Sequence, residues 1–206
     1  MARTKSSAGW LSRHLSDPFV KQAQKDGYRA RSAYKLIELN DKDRLIRPGM
    51  RIMDLGSAPG GWSQVAGKLV GERGRVLATD ILPMDALVNV DFIQGDFTED
   101  VVVQQVLDWL GGAKFDLIIS DIAPNTTGID SADAAKSIYL LELALDTLRK
   151  TLKSHASFAA KMFQGSGSDQ YLKELRTHFE KVIVRKPAAS RKESREVYIV
   201  AKGFKG

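Results

Sequence analysis

The stretch Asp54-Leu-Gly-Ser-Ala-Pro-Gly-Gly-Trp-Ser63 constrains the fold of this chain more than any other. The apolar run Arg51–Leu55 leads into it as a short buried strand, and Ser63–Val70 continues as a helical pattern. Gly56, Gly60 and Gly61 supply a turn that only small residues can make. A strand that breaks at glycines and restarts as a helix is a ligand-binding corner. The backbone can approach a ligand closely there, and the helix start offers N–H groups.

The ligand is not a simple phosphate. A P-loop would end in Gly-Lys-Ser/Thr, but Trp62 follows Gly61. A dinucleotide fingerprint would read G-x-G-x-x-G, whereas this loop reads G-x-x-x-G-G with Pro59 inside it, one N–H donor fewer. Such a loop suits a nucleoside with an amino-acid tail, the kind of ligand that S-adenosylmethionine is.

The rest of the chain alternates. Strands are expected at Arg75–Thr79, Val90–Gln94, Phe115–Ser120 and Ser157–Met162, with helices at Val101–Leu110, Ala132–Thr151 and Tyr171–His178. That order predicts a mostly parallel sheet with helices on both faces. The last two strands, Lys181–Arg185 and Val197–Lys202, have no helix between them and should pair antiparallel. Upstream, short helices are expected near Pro18 to Lys25 and over Tyr28–Asn40.

With 206 residues and 43% hydrophobic content, the chain can bury one sizeable α/β domain. It has no cysteine, which excludes disulfides, thiolate metal sites and a catalytic thiol. His14, His155 and His178 show no metal-ligand spacing, so no metal site is expected. No apolar run is long enough to span a membrane, and no secretory leader is evident, which fits a cytoplasmic protein. The net charge of +6 is concentrated at the start: residues 1–35 hold eight lysines and arginines against two acids. The remaining 23 basic and 23 acidic residues cancel. A neutral body with a basic arm, residues 1–27, ahead of one domain, 28–206, suggests a polyanionic partner, most simply a nucleic acid. A merely solubilising tail would look the same.

Ligands of open α/β sheets bind outside the carboxyl ends of the strands. Asp80, Asp96 and Asp121 each fall at such an end. Asp80 could accept both hydroxyls of a ribose, and Asp96 the amino group of an adenine. Lys161 is an oddity in the apolar strand Ser157-Phe-Ala-Ala-Lys-Met-Phe163. Lysine is rarely buried without a purpose, although an edge lysine can snorkel to solvent. A desolvated amine near other cations moves toward the range where it can accept a proton.

Several motifs together resemble the FtsJ/RrmJ-type methyltransferases. They are the glycine loop, Leu82-Pro-Met-Asp85, Gln94-Gly-Asp-Phe97, Ser120-Asp-Ile-Ala-Pro-Asn125, Lys161-Met-Phe-Gln-Gly165 and Ser194-Arg-Glu-Val-Tyr198. The resemblance spans about Tyr28 to Lys202. It implies a Rossmann-like class I fold, with seven strands of which the last is antiparallel. It implies S-adenosylmethionine as cofactor and transfer of its methyl to a ribose 2′-hydroxyl. The substrate implied is a uridine of large-subunit (23S) ribosomal RNA, in the large ribosomal subunit, modified by a monomer. The family's Lys-Asp-Lys-Glu tetrad falls on Lys35, Asp121, Lys161 and Glu196, and its cofactor contacts on Gly60, Trp62, Asp80, Asp96 and Asp121. RNA contacts are expected from the arm and from Arg185–Arg195. One departure stands out: Ser154-His-Ala-Ser157 occupies the place of a usual Gly-Gly turn before the fifth strand. Transfer RNA or an mRNA cap would suit the same tetrad. A non-catalytic RNA-binding assembly factor would instead show a broken one, and a nicotinamide oxidoreductase a different loop.

Overall fold

The computed structural model describes residues 17–124, 127–191 and 193–206. Among them, one seven-stranded sheet has the order β3-β2-β1-β4-β5-β7-β6. The strands are β1 (Arg51–Leu55), β2 (Arg75–Asp80), β3 (Val90–Gln94), β4 (Phe115–Ser120), β5 (Leu152–Phe163), β6 (Phe179–Arg185) and β7 (Glu196–Phe204). The pairs from β3 through β5 are parallel, and β7 runs antiparallel to both β5 and β6. The short link between the last two strands forces this reversal, as expected.

Alternation along the strands builds two cores. Met53, Leu55, Ile118, Phe158, Ala160 and Ile199 point to one face. That face is covered by α4 (Asp100–Leu110), α5 (Asp130–Thr151) and α6 (Ser168–His178), through residues such as Val106, Leu145 and Leu175. Ile52, Val76, Ile119, Ala159, Tyr198 and Val200 point to the other. It is covered by α2 (Ala33–Asp43) and α3 (Gly61–Val70), through Leu36, Leu39, Trp62 and Val65. Burying a large aliphatic side chain contributes roughly 1.5–3 kcal/mol, so each core repays the cost of ordering its helices.

The first helix, α1 (Pro18–Lys25), stands where the sequence places it. Asp17 accepts the Phe19 N–H at 3.0 Å, and proline occupies the first turn. Val20 and Ala23 are buried, so this part of the basic arm is docked. Residues 1–16 lie outside the described residues. The second helix begins at Ala33, later than Tyr28, because residues 28–32 are spent in contacts with the glycine loop. Arg29 donates to the carbonyls of Pro59, Asp85 and Ala86, and its own N–H reaches Gln64.

The fifth strand begins at Leu152, directly after α5, where the sequence suggested a turn and a start at Ser157. Leu152 pairs with Phe115 and Ser157 with Leu117, so β5 takes up extra residues in a bulge. His155 turns the bulge at φ 62°.

Arg185 closes the far edge. Its guanidinium donates two bonds to Asp43, at 3.0 and 2.9 Å, and the Asp43 side chain is 4% exposed. The paired guanidinium outweighs burial and holds the Asp43 carboxyl below its usual range. Arg185, expected among the RNA contacts, is therefore committed to the fold. Arg185→Ala should lower unfolding free energy by about 3 kcal/mol, because it strands a buried carboxylate. Adding Asp43→Asn should restore part of that loss in the same denaturant titration.

Candidate active site

Every group expected at the site sits at the carboxyl edge of the sheet or on the helix that covers it. Lys161 lies on β5, opposite Tyr198 of β7 in the antiparallel register. Period two puts Lys161 on the face of Ala159, and Glu196 and Tyr198 on the face of Val200. That is the face covered by α2, which carries Lys35 beside Leu36 and Leu39. Asp121 follows the last residue of β4.

The four side chains meet, and a fifth joins them. The Lys35 amine is 2.7 Å from Oε1 of Glu196 and donates to the Tyr198 hydroxyl at 2.8 Å. That hydroxyl donates to Oδ1 of Asp121 at 2.6 Å. The Lys161 amine donates to the Asp121 carbonyl at 2.6 Å and lies 3.2 Å from its Oδ1. Ser190 donates to Oε1 of Glu196 at 2.9 Å. Lys35 and Lys161 are 8% and 7% exposed, so these charges are removed from water and neutralise one another.

Burial alone would raise the Asp121 carboxyl, but the ammonium groups of Lys161 and Lys35 and the Tyr198 hydroxyl hold it below the usual range. Burial, reinforced by Asp121 and Glu196, drives the Tyr198 hydroxyl well upward, so it remains a proton donor. Tyr198 closes the Ser194–Tyr198 motif, and nothing in that motif assigns it a role. Its signal was its spacing of two from Glu196, which puts both on one face of a strand. Its ring leans on Trp62, with centroids 5.6 Å apart.

Two clefts adjoin this cluster. The larger, about 450 Å³, is lined by Asp80, Asp96, Phe97, Asp121, Ile122 and neighbours. The smaller, about 100 Å³, is lined by Asp54, Ser57, Trp62 and Asp121 among others. Asp121 thus stands at the junction of both. Gly60 lines neither. Gly56 lines both, at φ 68°, and a Cβ there would come within 2.7 Å of Ile122. Gly60 instead closes the turn at φ 104°, where a Cβ would strike Met84 and Arg29.

The loop is not an anion cradle. The Gly56 and Ser57 amides donate to the Thr79 carbonyl, Ala58 to Oδ2 of Asp80, and Gly60 to the Ser57 carbonyl. Pro59 has none to give. These bonds aim the Asp80 carboxylate, whose other oxygen accepts the Leu82 N–H at 2.8 Å. Asp96 is set similarly: its Oδ1 accepts from the Thr98 N–H and hydroxyl.

Under the loop, Asp54 is fully buried and accepts the Ser63 hydroxyl at 2.6 Å through one oxygen. Its other oxygen and the Ser57 hydroxyl are buried without a partner. Burial, against the Ser63 bond and with help from Asp121 and Asp80, pushes the Asp54 carboxyl up to about 7. Acceptor carboxylates at two strand ends, an apolar slot and unpartnered polar atoms in the smaller cleft fit a nucleoside bearing an amino-acid tail. They do not fit a pyrophosphate.

An open sheet with such clefts and a lysine–carboxylate cluster at its carboxyl edge defines an α/β nucleoside-binding enzyme. Comparison with known proteins narrows the class. Residues 28–204 match the FtsJ-like methyltransferase family. The chain is 68% identical over 206 residues to a protein named Ribosomal RNA large subunit methyltransferase E from Stutzerimonas stutzeri, with all of both chains covered. It is 53% identical over the same length to the protein of that name from Pseudomonas aeruginosa. A crystal structure assigned as a ribosomal RNA methyltransferase from Plasmodium falciparum superposes with a TM-score of 0.79 at 30% identity, covering 87% of this chain and all of that one. The chain belongs to the FtsJ-like methyltransferases. Membership implies S-adenosylmethionine as methyl donor.

Asp54 gives this site a pH signature. A carboxyl raised in the folded state stabilises the protein below its unfolded pKa and loses that contribution as pH rises through about 7. Between pH 5 and 7 the wild type should lose on the order of 1 kcal/mol per pH unit through this group, the slope easing as pH nears 7. Asp54→Asn should flatten that slope. Parallel denaturation curves for wild type and variant across this range would disprove the assignment.

Proposed function

We propose that this chain transfers the methyl group of S-adenosylmethionine to the ribose 2′-hydroxyl of a uridine in large-subunit (23S) ribosomal RNA, within the assembled large subunit. The observation that carries the reading is the meeting of Lys35, Asp121, Lys161 and Glu196 around the Tyr198 hydroxyl, at the junction of two clefts. The names borne by the relatives support the substrate.

When bound, S-adenosylmethionine supplies a methyl already activated by a sulfonium charge. Asp80 would hold the ribose hydroxyls of that donor, Asp96 its adenine amine, and the small cleft beside Trp62 its amino-acid tail. Gly60 would set the turn that keeps these in place. The acceptor hydroxyl is a weak nucleophile until its proton departs, so alignment and proton removal are what the protein must provide. Lys161 is the group placed to act there, either taking the proton or holding the alkoxide charge as it develops. Asp121 orients Lys161, Glu196 orients Lys35, and Tyr198 ties the two pairs into one rigid unit. Lys35 would position the acceptor ribose.

A further cleft of about 330 Å³ opens where β5 ends and β7 begins; it is lined by Phe163, Ser194 and Arg195 and by the acids Asp130, Asp133 and Glu193, so it would receive the sugar and base of the acceptor rather than its phosphates. Residues 1–16 and the loop 186–195 would hold RNA phosphates, giving affinity with little sequence information.

Lys161→Ala should abolish methylation of large subunits taken from cells lacking the enzyme. Donor binding by calorimetry should stay within a few-fold of wild type. Near-normal turnover would rule out both roles given to this lysine. Removing residues 1–16 should weaken RNA binding and leave donor binding unchanged, since helix α1 stays docked. Equal loss of both would argue against the arm as an RNA contact.

A further inference from the structure

At the opposite edge of the sheet, by the amino ends of β1, β4 and β5, lies a concave site of about 380 Å³. Arg44, Arg47, Lys153, His155 and Lys202 line it. The acid among its lining residues is Asp116, and it is already engaged. It accepts the Lys153 amine at 2.6 Å and the Arg51 N–H at 2.8 Å. Among the described residues, Arg44 and Arg47 form no ion pair, and both are exposed.

The backbone of this site is unusual as well. Three described non-glycine residues have positive φ, and two of them, Arg44 at 51° and His155 at 62°, line this one cleft. Arg44 ends α2 in the left-handed cap position where glycine or asparagine ordinarily sits. His155 turns the β5 bulge, where glycine would meet no steric cost. A left-handed residue carrying a Cβ costs roughly 1–2 kcal/mol. Strained residues persist where the surroundings hold them, and they gather at binding sites. Both line the same hollow; Arg44 has no acidic partner there, whereas the His155 ring lies 3.4 Å from Glu180 just outside it.

We infer that this basal cleft is a second RNA-phosphate site, which anchors the substrate away from the reacting ribose. The inference rests on the proposed RNA methyltransferase activity and adds to it. A strand of five or six residues separates the cleft from the catalytic edge, roughly 17–20 Å. One short single strand in the active site would not reach it, but a folded ribosomal RNA domain would. The exposed large hydrophobic residues lie elsewhere, at Ile81, Leu82 and Val88 for example, so the cleft lacks the apolar rim that a lipid surface needs. Phosphate oxygens supply the acceptors that two unpaired guanidinium groups and a partly paired ammonium lack.

The test uses full-length protein and large ribosomal subunits purified from cells lacking the enzyme. Arg44→Asn, Arg47→Gln and Lys153→Gln are combined, asparagine being chosen because it tolerates the left-handed cap. The combined variant should raise KM for subunits about tenfold, leave kcat within about twofold, and flatten the log-affinity against log-salt slope by about 2. Single Arg47→Gln, at an exposed residue, should move KM the same way with an unchanged melting temperature. His155→Gly should melt at a higher temperature yet bind subunits more weakly, which a purely structural bulge would not do. A triple variant with wild-type KM and salt slope overturns the inference. A wild-type chain that binds donor but leaves these subunits unmethylated overturns the activity on which it rests.

Discussion

The Tyr198 hydroxyl sits between two buried ion pairs and takes part in both. It accepts from Lys35 and donates to Asp121, which is itself beside Lys161. Each ionised group withdrawn from water costs several kcal/mol unless another group compensates it. Here compensation is mutual, so no member of the cluster can leave without stranding another. A buried network of this kind contributes little net stability but fixes one geometry. That geometry is what an aligned transfer reaction needs.

The sheet topology makes this cluster possible. Five parallel strands bring Asp80, Asp121 and the glycine loop to one edge. A wholly parallel sheet would also start β7 at the opposite end, with Glu196 far from Lys161. The antiparallel insertion of β7 between β5 and β6 sets Phe163 opposite Glu196 and Lys161 opposite Tyr198. The reversal that follows from a short connection therefore brings the acid of the tetrad to its amines. The helix bearing Lys35 is placed by the hydrophobic residues beside it, Leu36 and Leu39, and by Arg29, which ties the preceding segment to the glycine loop.

Much of this was legible in the sequence, because the strands are apolar, short and bounded by glycines, and the acids at their ends are few. The mostly parallel sheet with its reversed last strand, and the meeting of Lys35 with Lys161, could be anticipated from alternation and motif. Other features could not. The start of α2 moved to Ala33 because residues 28–32 are used in tertiary contacts that local periodicity does not encode. The bulge in β5 was read as a turn, since Ser154 and His155 carry no strand signal. Tyr198 packs against Trp62 as a core aromatic would, and its hydroxyl reaches Lys35 and Asp121 only because β7 lies beside β5. Asp54 carries no signal of burial in the strand pattern, and it is the packing of α3, with Ser63 bonded to it, that removes it from water.

Available charge is the property least encoded in the sequence, and the reason is physical. A count of basic residues treats each as available to a polyanion, yet a cation paired within the fold has already given up its hydration for a protein partner. Arg29 is spent on three backbone carbonyls, Arg31 on Asp17 and the Ala189 carbonyl, and Arg185 on Asp43. Lys35 and Lys161 are paired with Glu196 and Asp121 in the buried cluster. The net charge of the amino-terminal segment therefore overstates what its described part offers to RNA. Arg44 and Arg47 lie in the segment that sequence counting judged neutral, balanced by acids such as Asp43 and Asp116 that are themselves committed to other partners. Electrostatic attraction to a large polyanion depends on where cations remain unpaired, and on that criterion the described fold offers Arg44 and Arg47 at the base of the sheet.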